Sequence, residues 1–197
     1  MQKRCSILLL LCAMFSFGRA QESRWALEQY DNYSYYNYTN YAPFNQSIAQ
    51  TNYDSDLLEA AIFYETNRQR AKYGLSLLRF DYNTYVSAHN HTVDMVRHNF
   101  FSHTSVVPGK ISMTDRMSQV GYSNHACAEN IVCAAAKGTY QEMARYLVEE
   151  LWMNSPGHRK NILTPDYTHL GCGAAFYYND QYRSVYVKST QNFLKKR

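Results

Sequence analysis

Trp152-Met153-Asn154-Ser155-Pro156-Gly157-His158-Arg159, running on through Asn161-Ile162-Leu163, is the stretch on which the fold of this 197-residue chain turns. An amphipathic helix from Thr139 to Met153, with Met143, Tyr146, Leu147 and Leu151 on its apolar side, leads into it. Pro156-Gly157 reads as its stop. Behind the stop sits a polar His-Arg pair beside apolar residues, a setting in which a histidine is more than a solubilising group. Two other stretches share that character: Phe100-Phe101-Ser102-His103 and Ala128-Glu129-Asn130.

Working back toward the N-terminus, Asp56 or Ser55 caps a helix to Tyr73 that Gly74 ends, and Asp81 opens a second helix reaching His98. A short helix covers Thr114 to Val120. Strands are expected over Ala126–Ala134, Leu170–Tyr178 and Arg183–Phe193, the last two joined by an Asn179-Asp180 turn. Gly171 and Gly173 in the middle strand leave room for a neighbouring backbone. Helices followed by a small antiparallel sheet give an α+β sandwich.

The order of short motifs resembles the CAP superfamily of cysteine-rich secretory proteins, antigen 5 and pathogenesis-related proteins, in its bacterial-type SCP form. The residues that carry the resemblance begin with Glu65-Thr66-Asn67-Arg68, His91, Asp94-Met95 and Asn99 to Ser105. They continue through Asp115-Arg116-Met117, Gly121-Tyr122, Ala128-Glu129-Asn130-Ile131 and the Trp152 stretch, and end with Gly171-Cys172-Gly173 and Thr190 to Phe193. The resemblance spans residues 56–194. It implies an α-β-α sandwich with a central cleft, and it places His103, Glu129 and His158 there. The fourth cleft position of eukaryotic members, a glutamate, falls at Asn154-Ser155, and Ser155 is not an acid. His103, His158 and Glu129 are chemically suited to zinc. A hydrogen-bonded cluster tying loops to the sheet is the competing reading. The breadth of the family leaves open a sterol or lipid, or a host or cell-surface protein, as extracellular partner.

Among the other polar residues, His89 is expected in the core and His91 as an interior hydrogen-bonding group. Arg116 and Arg159 are expected to anchor loops. No Gly-x-Ser-x-Gly elbow accompanies the serines, which argues against a serine hydrolase.

Residues 1–20 read as a cleavable export signal: Lys3 and Arg4, an apolar run from Ser6 to Phe17, then Gly18-Arg19-Ala20. The run is too short for a membrane span of about 20 residues. Removing it takes three of the cationic residues and no acid, so the formal charge of +4 falls to about +1. No basic stripe for nucleic acid remains. Of five cysteines, Cys127, Cys133 and Cys172 stay in the mature chain. Cys127 and Cys133 lie too far apart along one strand to bridge, so a disulfide from Cys172 to one of them is expected. Residues 21–55 hold a Tyr/Asn-rich stretch without apolar periodicity, which reads as a low-complexity arm or linker, a spacer or a partner-binding segment. Asn32, Asn37, Asn45 and Asn90 each begin an Asn-x-Ser/Thr sequon.

Overall fold

The computed structural model describes residues 25–48 and 53–196. The expected export signal, residues 1–20, lies outside the described residues.

Helix α1 (Ser55–Lys72) starts where Asp54 accepts the Leu57 N–H at 3.0 Å. Helix α2 (Tyr82–Arg97) starts in the same way at Asp81. Between them a two-residue strand, β1 (Arg79–Phe80), is too short to leave a periodic signal in the sequence. Helix α3 (Met113–Gln119) opens on a capping box between Ser112 and Asp115. Strand β2 (Cys127–Ala135) follows, then helix α4 (Tyr140–Arg145), which widens into a π-helical stretch over Tyr146–Trp152. Contrary to the sequence expectation, Pro156 does not end a helix. It stands at the first position of another, α5 (Pro156–Leu163), where its fixed φ and missing N–H are well tolerated. Strands β3 (His169–Asn179) and β4 (Ser184–Leu194) form the long hairpin.

The sheet order is β1-β3-β4-β2. The three long strands pair antiparallel and β1 joins β3 in parallel, so the sheet is mixed rather than purely antiparallel. Alternation along β4 assigns the layers. Lys188, Thr190 and Asn192 face α2, where they meet Met95, Thr92 and Ser87. Gln191 faces the other way and donates to Thr66 of α1 at 2.6 Å. Helices therefore cover both faces, giving the α-β-α sandwich. The two glycines of β3 do what their spacing suggested. A Cβ on Gly171 would collide with the Tyr85 backbone nitrogen, and one on Gly173 with the Ala88 carbonyl oxygen.

Two further expectations need correction. The Tyr/Asn-rich stretch is packed: residues 25–48 form three short 3-10 turns (Leu27–Asp31, Tyr38–Asn40 and Ala42–Asn45) against α1. Trp25, Tyr30, Tyr38 and Phe44 are buried in the main core with Leu57, Tyr64, Trp152 and Phe193. Tyr30 stacks on Phe80 at 3.9 Å between ring centroids, Tyr38 stacks on Tyr64 at 5.3 Å, and the Tyr64 hydroxyl donates to the Tyr30 carbonyl at 3.1 Å. This covering explains why α1 is buried nearly all round, including Glu65, Asn67 and Gln69.

The cysteines, too, depart from expectation, since Cys127, Cys133 and Cys172 are all free. Strand order gives the reason. Cys172 pairs in register with Gln191 of β4, and β4 lies between β3 and β2. Two inter-strand steps of about 4.8 Å separate Cys172 from the β2 cysteines, beyond disulfide reach.

Candidate functional site

The site is built on the outer edge of β2, which is an edge strand. Glu129 and Asn130 are adjacent, so their side chains leave opposite faces. Glu129 lies opposite Asn192 in the β2–β4 register and turns toward α2 and α3. Asn130 turns toward α5, where its amide donates to the His158 carbonyl at 3.1 Å and to Gln191 Oε1 at 3.0 Å. Asn161 of α5 donates to Asn130 Oδ1 at 2.8 Å, which binds the helix carrying His158 to the strand edge.

His103 arrives from the segment after α2. Just past that helix, Asn99 takes a left-handed φ of 50°, a conformation asparagine tolerates better than most residues. The buried Lys188 ammonium donates to the carbonyls of Met95 and Phe100, both at 2.9 Å, and fixes the turn. His91, fully buried as expected, bonds through Nε2 to the Ser102 carbonyl at 3.1 Å. Arg116 donates to the carbonyls of His103, Lys110 and Ile111. The residue next to His103 and His103 itself are thus both pinned by their backbone.

The side chains converge on one carboxylate. His103 Nδ1 lies 2.8 Å from Glu129 Oε1, and Arg116 Nη2 donates to Glu129 Oε2 at 2.7 Å. His91 Nε2 is 3.8 Å from Oε1. With the Asn192 amide nitrogen turned to the carboxylate, it donates to Oε2 at 3.1 Å. Burial would raise the Glu129 pKa, but the His103 hydrogen bond and the Arg116 and His91 charges outweigh it and hold the carboxyl below its ordinary value. An ionised carboxylate only accepts, so His103 carries a proton on Nδ1 and its Nε2 is left free of Glu129. The His103 side chain is 54% exposed. Burial and the nearby charge of His103 together hold the His158 imidazole below its ordinary value.

The expected residues thus fall into different roles. His103 and Glu129 are in direct contact, and His158 sits on the same edge with its ring coupled electrically to His103. Among the described residues, however, His103, Glu129 and His158 do not bring one ligand atom each within 4.8 Å of one another. Ser155 is the N-cap of α5 and makes no side-chain cap bond. Arg116 anchors the loop as expected, yet its bond to Glu129 was not legible in the sequence, because α3 and β2 meet only in the fold. Arg159 is exposed over the Tyr73 ring, 5.0 Å from its centroid, and anchors no loop among the described contacts.

A divalent metal at this edge would be held by His103 and His158, and Glu129, with both oxygens engaged, would orient His103 from behind, as carboxylates do for metal-bound histidines.

Residues 63–193 match the model of the cysteine-rich secretory protein family, CAP. The chain is 37% identical over 138 residues to the Bacillus subtilis protein named "Uncharacterized membrane protein YlbC", covering 70% of this chain and 34% of that one. It is 41% identical over 108 residues to B. subtilis "Uncharacterized protein YkwD", covering 55% of this chain and 38% of that one. The chain therefore spans about a third of the length of these relatives. Among solved structures, an extracellular SCP-domain protein from Bacillus anthracis superposes with a TM-score of 0.55 at 34% identity, over 72% of this chain and 41% of that one. An outer surface protein from Borrelia burgdorferi shares the fold at 14% identity, with a TM-score of 0.53 over 78% of this chain and 99% of that one. Motif order, sandwich and family match agree: this chain belongs to the CAP family of cysteine-rich secretory proteins.

Proposed function

We propose that this protein works outside the cell as a binding module, and that its polar cleft recognises a ligand without transforming it. The observation that carries the reading is the state of Glu129. Its two oxygens are engaged by Arg116 at 2.7 Å and His103 at 2.8 Å, and it is held ionised. A general base needs a pKa near working pH and an open lone pair aimed at substrate. Glu129 has neither. The export signal at residues 1–20 and the extracellular B. anthracis relative support the location. Among the described residues, no helix is long and apolar enough to cross a membrane. The ligand is a lipid or sterol, or a cell-surface protein, contacted at the exposed His103 and His158 edge.

One observation favours a second reading, a zinc-dependent hydrolase: the His103 and His158 rings are coupled electrostatically at one edge and would be the donor pair for such an ion. When bound, zinc would supply Lewis acidity at that edge. The two readings separate by replacing Glu129 with Gln in the zinc-loaded mature chain and assaying peptide and ester hydrolysis. A binding module shows no turnover that depends on Glu129. Turnover by the wild-type chain that falls a hundredfold or more in a folded E129Q variant would overturn the proposal.

A further inference from the structure

A second polar cluster lies away from the cleft, where α1 and α2 meet along the outer edge of β3. Among the described residues that edge has no partner strand beyond Leu170, because β1 stops at Phe80. Glu59, fully buried, covers it: Oε1 accepts the Ala174 N–H at 2.8 Å and lies 2.8 Å from His89 Nδ1. The second oxygen, Oε2, is buried and accepts no hydrogen bond of good geometry among the described residues. Asp56, one turn earlier on α1, shares that helix face. One ligand atom from each of Asp56, Glu59 and His89 lies within 4.8 Å of the others. Burial, then the charges of Glu59 and Asp56, then a hydrogen-bonding interaction with Glu59, push the pKa of the neighbouring Tyr85 hydroxyl up. The His89 side chain is 32% exposed and Asp56 is half-buried, so the cluster opens to solvent on one side.

Glu59 pairs with His89 through Oε1 alone, and its buried Oε2, beside a second carboxylate, keeps an uncompensated share of the charge. Two carboxylates and one imidazole make a donor set for a borderline divalent ion, and three protein ligands leave one position for water. Tetrahedral bonds of about 2.1 Å put ligand atoms about 3.4 Å apart, which modest side-chain rotation from the present spacing reaches. We propose that Asp56, Glu59 and His89 form a divalent metal site of the zinc or manganese class, separate from the His103–His158 edge. The ion would sit at the junction of α1, α2 and β3, and would replace the Glu59–His89 hydrogen bond with two metal bonds. Glu59 would keep its bond to Ala174.

Titration calorimetry with zinc chloride on the mature chain carrying H103A and H158A tests this without interference from the cleft. The expected result is one equivalent of bound zinc, weakened about tenfold or more by D56N and by H89Q. Both changes are at partly exposed positions, and far-ultraviolet circular dichroism checks that the fold persists. With manganese chloride, amide resonances of residues 56–59, 88–90 and 173–175 should broaden selectively. Zinc binding that vanishes with H103A and H158A would overturn the proposal, as would binding that D56N and H89Q leave unchanged or the absence of any binding.

Discussion

The Arg116 guanidinium donates to Glu129 at 2.7 Å, and the two side chains are only 2% and 3% exposed. Each compensates a charge that burial would otherwise make expensive. Arg116→Ala leaves the Glu129 carboxylate without its cation and should cost about 3–5 kcal/mol in urea unfolding. The paired change Arg116→Met with Glu129→Gln removes both charges and should cost clearly less than the sum of the single changes.

Asp81 is the second buried carboxylate held by donors. It accepts Thr84 N–H at 2.9 Å and the Tyr122 hydroxyl at 2.7 Å, with Lys196 at 3.1 Å. Burial raises its pKa, but these bonds prevail and bring it down to about 2. Its folded value lies below its unfolded one. The stability it confers is therefore present above about pH 4 and lost as pH falls toward 2. The loss should be on the order of 2 kcal/mol. Unfolding midpoints between pH 2 and 5 should fall less steeply for Asp81→Asn than for the wild type.

The N-terminal aromatics are predicted to be structural. Trp25 contacts Tyr30, Phe44 and Tyr64 with ring centroids 5.2 to 5.9 Å apart. Trp25→Ala should lower stability by about 3–5 kcal/mol, the range for a buried aromatic. Deleting the chain up to residue 48 should expose α1 and increase binding of a hydrophobic dye. A deletion variant as stable as the full mature chain would show that the segment is a spacer.

Much of the framework was legible because it rests on local rules. Asp81 caps one helix, Gly74 ends another, and Gly171 and Gly173 admit α2 against the sheet, whereas the cap of α1 is Asp54 and not the expected Asp56 or Ser55. What escaped depends on long-range packing. The aromatic stretch has no period because its residues fill gaps around α1 rather than one face of a helix or strand. Pro156 reads equally as the end of one helix or the start of the next. In the site, His103 and Glu129 were legible through the ordered motifs, whereas the role of Arg116 and the Asp56–Glu59–His89 cluster exist only once distant elements meet.

Gly173→Ala tests the close approach directly. Its Cβ would meet the Ala88 carbonyl and Thr92 Oγ1 within 2.6 Å, and two of the nearest atoms are backbone. A loss of about 3 kcal/mol or more is expected in thermal or urea unfolding.

The central claim is that Glu129 is an ionised hub held by Arg116 and His103. Following the Glu129 side-chain carboxyl carbon by NMR across pH 2 to 8, in the mature chain, tests it most directly. The account predicts a midpoint below the ordinary glutamate value near 4.5. A midpoint between about 5.5 and 7, the range of a working general acid or base, would contradict it.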